Sequence, residues 1–200
     1  MRVGSIHTGK GGYADYARKL ADELLAARAQ GIFKISHFLH LRAEICSETL
    51  LEELALFKPD DRVGIVSLMD HTPGQRQFRD MTSLKAYVAK KRGMTDADFA
   101  EHVENLRGLQ KRFGAVHEAG AVTEAKRLGA VLASHDDTTA AHVATSQANG
   151  VGFAEFPTTI EAAEACHAHG IAVMMGAPNL IRGGSHSGNV AAEALAEASL

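Results

Sequence analysis

Apolar positions recur along this chain in two alternating rhythms, and the alternation predicts its architecture. Ala17, Leu20, Leu24 and Ala27 fall at three- and four-residue spacing, the period of one helix face, with Gly31 placed as the C-cap. From Ile32 to Glu44 the pattern becomes a β-rich alternation that predicts a first strand. Ser47 is the expected N-cap of a short helix over 50–57 that Pro59 stops. Val63 to Met69 is an apolar run of buried-strand type, ending in Asp70-His71-Thr72-Pro73-Gly74. Residues 75–128 are polar, charged and helix-prone. They predict two or three helices, a helical insertion over about 78–128, with Thr95-Asp-Ala-Asp98 as a capping-box-like start.

A repeat follows. Apolar strands begin near Ala130, Val151 and Ile171, about 20 residues apart, each trailed by a helix-length segment. Asp137, Thr158 and a Gly-rich loop are expected to open those helices, and Asn149-Gly150 and His169-Gly170 to close two of them. Residues 189–200 read as a last amphipathic helix. Strand–helix alternation with apolar strands argues a parallel sheet of about five βα units, with no strand ahead of the first helix. Both ends are cut in mid-pattern, and 200 residues fall short of the roughly 250 of a complete (β/α)8 barrel. The expected fold is therefore α/β, part of a closed barrel over 1–200; a freestanding five-stranded doubly wound sheet is the alternative.

Composition narrows the function classes. Lys and Arg number 21 against 24 Asp and Glu, a net charge of −3. That balance gives no electrostatic reason to expect nucleic acid or a membrane surface as partner. With 46% hydrophobic and 22% charged residues, the chain matches a globular domain and not a disordered one. No apolar run approaches the roughly 18 residues of a membrane span, and the first residues lack the apolar core of a signal peptide. Cys46 and Cys166 lie far apart and form no CxxC, which fits a reducing cytoplasm. The unusual feature is histidine, 11 residues beside three Tyr and no Trp. Histidine is the commonest metal ligand and a frequent general base.

Parallel α/β sheets collect their chemistry at the carboxyl ends of the strands. The first strand ends His40-Leu-Arg42-Ala-Glu44, and a period of two places Phe38, His40, Arg42 and Glu44 on one face. That face carries an acid, a base and a cation if it lines a barrel, and is a solvated face if the strand is an exposed edge. The second strand ends Asp70-His71, suited to a metal ligand with its orienting acid or to an acid/base pair. Turn chemistry accounts for Asp70 and Pro73-Gly74, and poorly for His71 and Arg76. The third ends Ser134-His135-Asp136-Asp137-Thr138-Thr139, the sharpest local signal. Imidazole and carboxylate both suit Zn2+ or Mn2+, and one acid can serve as ligand or base while the other caps the helix.

The fourth strand ends Glu155-Phe156-Pro157-Thr158-Thr159 and reads as structural, with Thr158 or Thr159 as cap and Glu161 at capping-box distance from Thr158. The fifth leads to Arg182, Gly183, Gly184, Ser185, His186, Ser187, Gly188 and Asn189 ahead of the last helix. Backbone N–H groups and a forked cation there suit a phosphate, and a merely flexible loop is the alternative. His102, His117, His167 and His169 are expected to be solvated or packed, His142 could go either way, and Cys166 is not expected to be a nucleophile.

Four stretches, Ser67 to Phe78, Leu132 to Thr139, Ala154 to Thr159 and Gly176 to Asn189, together with His40-Leu-Arg42-Ala-Glu44, resemble the PhnM family. These are amidohydrolase-type enzymes of the carbon–phosphorus lyase pathway. The resemblance implies a metal-dependent (β/α)8 barrel that hydrolyses α-D-ribose 1-methylphosphonate 5-triphosphate to the 5-phosphate plus diphosphate. On that pattern Glu44, His71 and His135 resemble metal ligands for Zn2+ or Mn2+, with Asp136, Asp137 and Asp70 as catalytic carboxylates. Arg42, Arg76, Arg182 and Gly183, Gly184, Ser185, His186 and Asn189 would take the phosphorylated sugar. By the same resemblance the chain is expected to hold strands three to seven of the enzyme. It lacks the family's first-strand His-x-Asp or His-x-His element and last-strand Asp, and is expected to be inactive alone. An open sheet with unpaired edges would favour association into a homo-oligomer. A non-catalytic phosphate-sugar binding module and an amidohydrolase acting on an amide or ester are the competing readings.

Overall fold

A computed structural model describes residues 1–5, 16–82, 84–86, 94–185 and 188–200. The chain divides into two compact units, Met1–Met69 with Leu109–Leu132, and Asp70–Gly108 with Ala133–Leu200.

The first unit holds three parallel strands, β1 (Arg2–Val3), β2 (Leu39–Glu44) and β3 (Val63–Met69), with Val3 opposite Ala43 and Glu44 opposite Met69. Helices α1 (Tyr16–Ala29) and α2 (Leu50–Ala55) belong to it. Val3, Leu41, Ala43, Leu50, Leu54, Phe57 and Val66 are fully buried and form its core. The strand β3 has the bounds its apolar run predicts, because both of its faces have little access to water.

Several expectations are corrected here. A two-residue strand does precede the first helix. The strand expected from Ile32 begins only at Leu39, where pairing with Val63 begins. Ile32, Ile35 and Phe38 are exposed. The 32–38 stretch turns on itself, with His37 Nδ1 2.9 Å from the Ile35 carbonyl and Phe38 against the Arg62 guanidinium. Alternation by itself cannot form a strand without a neighbour to pair with. The N-cap of α2 is Thr49, not Ser47, and Pro59 opens a 3-10 turn, Pro59–Asp61.

Helix α3 runs unbroken from Asp96 to Leu128, 33 residues, and residues 81–82 and 84–86 are helical ahead of it, in keeping with the two or three helices expected across the insertion. No proline lies within it to end it. Its start is the expected reciprocal cap: Asp98 N–H donates to Thr95 Oγ1 at 3.2 Å and Thr95 N–H to Asp98 Oδ2 at 3.0 Å. A 3-10 turn, Arg76–Phe78, precedes it.

The second unit is built on β4 (Val131–His135), β5 (Phe153–Glu155) and β6 (Ala172–Met174), again parallel, with His135 opposite Glu155 and Glu155 opposite Met174. Helices α4 (Ala140–Ala148), α5 (Ile160–Ala168), α6 (Ala177–Arg182) and α7 (Ala192–Glu197) alternate with the strands. Thr139 and Thr159 cap α4 and α5, accepting from the N–H groups of His142 and Ala162. Thr159, one of the two expected caps of α5, is the cap found, whereas Thr158 and Asp137 are engaged elsewhere. The Gly-rich segment follows a helix instead of opening one: Arg182 ends α6, Gly183 is its left-handed cap, and α7 starts only at Ala192. Six strands with interleaved helices, parallel within each unit, make an α/β fold compatible with part of a (β/α)8 barrel. Among the described residues no helix is long and apolar enough to cross a membrane.

Candidate functional site

The carboxyl end of β4 gathers several buried polar side chains, His135, Asp136, Asp137 and Thr138. His135, the last residue of the strand, is buried, and its Nδ1 lies 2.7 Å from Asp136 Oδ2. Adjacent residues in a strand face opposite ways, so this contact needs a turn. Asp136 supplies it, with φ at +56 and its N–H donating to the Glu155 carbonyl at 2.9 Å. A carboxylate on one ring nitrogen fixes the tautomer and orients the other nitrogen.

Asp137 has no exposed side-chain surface, and both of its oxygens are engaged. Arg76 Nη1 donates to Oδ1 at 2.5 Å, and Ser146 Oγ, from α4, donates to Oδ2 at 3.0 Å. The same Arg76 nitrogen donates to the His135 carbonyl at 3.0 Å. Thr138 N–H donates to His142 Nδ1 at 3.2 Å. Burial first, and then the charge of Arg76, holds the His142 imidazole below its ordinary pKa.

Asp70 and His71 follow β3. Asp70 Oδ1 accepts from the N–H of Thr72 at 3.0 Å and from its hydroxyl at 2.5 Å, a local turn contact. The His71 ring stands 6.2 Å from the His135 ring and 5.7 Å from Phe78. Phe156, at the end of β5, meets His135 edge-on at 5.3 Å. His71, Arg76, His135, Asp136 and Asp137 are thus joined by direct contacts within one unit.

Glu44 and Arg42 belong to the first unit, and Arg182, Gly183, Gly184, Ser185 and Asn189 to the second. Glu44 ends β2 in the first unit, 2% exposed, with the Arg2 guanidinium 3.8 Å away. Arg42, on the same strand, directs Nε to Met69 Sδ at 3.2 Å. Arg182 sits at the exposed end of α6, and Gly183 and Gly184 take φ of +70 and +155. Ser185 and Asn189 are half-buried, and His186 lies outside the described residues. His117, expected to be solvated or packed, is buried against Phe113 with Nδ1 3.0 Å from the Ile45 carbonyl. The Cys166 thiol is pushed up to about 11, by burial and then by Asp137, which removes it as a nucleophile near neutral pH. Sequence reasoning missed Ser146, which carries no motif signal, and read Phe156 only as part of a structural strand end; each acts on a residue brought near by folding.

Two imidazoles, one backed by a carboxylate, have the donor chemistry of a borderline divalent cation such as Zn2+ or Mn2+. Among the described residues no group of three His, Cys, Asp or Glu is gathered to hold one. The set therefore fits a metal as part of a ligand shell.

These features define a class, a parallel α/β protein with a histidine–carboxylate cluster beyond its strand ends. Over all 200 residues the chain is 40% identical to alpha-D-ribose 1-methylphosphonate 5-triphosphate diphosphatase of Escherichia coli (strain K12). The chain is thus a relative of that diphosphatase, and its likeness to the PhnM family is borne out along its whole length. It spans 53% of the length of the E. coli protein. No protein-family model matches the chain, and no solved structure matches it.

Proposed function

We propose that the chain forms part of a metal-dependent hydrolase that cleaves α-D-ribose 1-methylphosphonate 5-triphosphate to the 5-phosphate and diphosphate. The observation that carries the proposal is the approach of the His71 and His135 rings to 6.2 Å, in a chain 40% identical to a diphosphatase. His71 and His135 would hold a divalent ion, Zn2+ or Mn2+. When bound, such an ion supplies Lewis acidity toward a phosphoryl oxygen and the means to ionise water at neutral pH. Asp136 keeps the His135 Nδ1 proton in place and leaves Nε2 available as a donor atom. Arg76, fixed by Asp137, presents a cation for a phosphate of the substrate. Asp137 keeps that guanidinium in place.

Catalytic zinc sites typically draw on three protein ligands. Two imidazoles among the described residues support the further proposal that residues 1–200 alone turn over slowly. A cytoplasmic location and self-association are parts of the same proposal, the former supported by the buried thiols of Cys46 and Cys166.

The test has two parts. Stoichiometric Zn2+ or Mn2+ should survive dialysis of the purified chain and be lost in His135→Ala; a chain that retains no metal defeats the metal assignment. Diphosphate release should then be measured beside the E. coli relative. Turnover within about tenfold of that enzyme, about 1.4 kcal/mol in barrier, would remove the proposal of slow turnover.

A further inference from the structure

We infer that Phe156 is a positioning residue for the His135 imidazole. The inference rests on the reading of His135 as a site residue. Phe156 is the first residue past β5, one beyond the register partner of His135. Its φ is +57, a left-handed conformation that bulky residues rarely adopt. Pro157 follows it, and a residue before proline is ordinarily extended, so the backbone is held against two preferences. The Phe156 N–H donates to the Met174 carbonyl at 2.9 Å, which anchors the turn to β6. Glycine or asparagine would follow the same path at smaller cost.

The turn sets the Phe156 ring against the site. Its centroid lies 5.3 Å from that of His135 at an interplanar angle of 66°, an edge-to-face contact. Asp136 meets the same imidazole at Nδ1, at 2.7 Å. The carboxylate fixes direction within the ring plane, and the aromatic edge resists rotation of that plane. Gly176 lies beside the ring, where an added Cβ would stand 3.4 Å from Phe156 Cε1, an ordinary van der Waals contact. Packing alone would be satisfied by any apolar side chain of similar bulk. Orientation of an imidazole needs a flat, rigid ring.

The test uses the whole chain, labelled with 15N at histidine, as Phe156→Leu, Phe156→Tyr and Gly176→Ala, with His135→Ala as control. Three quantities are read: melting temperature, the exchange lifetime of the His135 Nδ1 proton without metal, and Zn2+ affinity by chelator competition. Phe156→Leu should melt within about 4 °C of the parent. It should nevertheless shorten the proton lifetime severalfold and weaken Zn2+ binding about tenfold. Phe156→Tyr should restore both. A folded Phe156→Leu protein with the parental proton lifetime would overturn the inference. If that variant does not fold, Phe156→Tyr decides, since a retained ring should keep the parental lifetime and a shortened one overturns the inference; Gly176→Ala, whose Cβ would make ordinary contact with the ring, should keep the parental lifetime too. Should His135→Ala leave Zn2+ affinity unchanged, the metal assignment fails, and the proton lifetime still decides the role of Phe156.

Discussion

Arg76 and Asp137 stand 61 residues apart in sequence and 2.5 Å apart in space, Nη1 to Oδ1, with the Asp137 side chain wholly shielded from solvent. Each carries a charge that marks it as a reactive residue when the sequence is read alone. Together they neutralise one another, and Ser146 takes the remaining carboxylate oxygen at 3.0 Å. Asp137 therefore serves to hold Arg76 and the β4 end in place, and Asp136 is the acid in contact with His135.

Removing the Asp137 charge leaves Arg76 unpaired. One-sided loss of a fully buried pair costs about 3–5 kcal/mol. Arg76 keeps 18% of its side chain exposed, so for Asp137→Asn a loss of about 2–3 kcal/mol is expected. Urea unfolding measures it. A midpoint unchanged from the parent would show that the pair contributes nothing.

His142 makes stability depend on pH. Its folded pKa lies below the unfolded value of 6.5, through burial and then the charge of Arg76. Below about pH 6.5 the unfolded chain takes up a proton that the folded chain resists. The contribution is therefore complete above pH 6.5 and is lost as pH falls through the lowered folded value. Protonation at Nδ1 would also remove the acceptor for Thr138 N–H. Unfolding midpoints between pH 5 and pH 8 should fall less steeply in His142→Gln than in the parent, and equal slopes would refute this.

The two threonine caps should differ in weight. The Thr139 hydroxyl accepts its capping bond at 3.2 Å from His142 N. Thr159 accepts from Ala162 N at 3.1 Å and also donates to the Thr138 carbonyl at 2.7 Å. Thr139→Ala should cost about 1 kcal/mol and Thr159→Ala about 2 kcal/mol. Chemical denaturation of both variants checks the order.

Gly4→Ala should be severe. Gly4 takes φ of +94, and an added Cβ would meet Ser47 Oγ at 2.7 Å and the Glu44 carbonyl at 2.8 Å. Its N–H also donates to Glu53 Oε2 at 3.0 Å, inside the first unit's core. A loss of at least about 2 kcal/mol is expected from backbone strain and overpacking together, read as a lower melting temperature.

Where a local pattern was enough, the sequence was legible. The run Val63–Met69 has the bounds of β3, and Thr95 with Asp98 marks the start of α3. The strand ends that carry His71 and His135 were readable for the same reason. Where an element needed a partner, the pattern misled. Residues 32–38 alternate but find no neighbour, and β1 is two residues long, too short for any periodicity.

The alternation of apolar runs and helix-length segments, with His, Asp and Arg at the run ends, determined by itself that this is a parallel α/β chain. Those signals are local, set by burial of one face or both faces of a short segment. Tertiary structure alone decided which polar group met which. Asp137 left the cap of α4 for Arg76, Thr158 left the cap of α5 for Thr138 at 2.8 Å, and Phe156 came against His135 through a strained turn. A cap is worth about 1 kcal/mol, whereas an unpaired buried charge or donor costs more, so the long-range partner prevails over the local one.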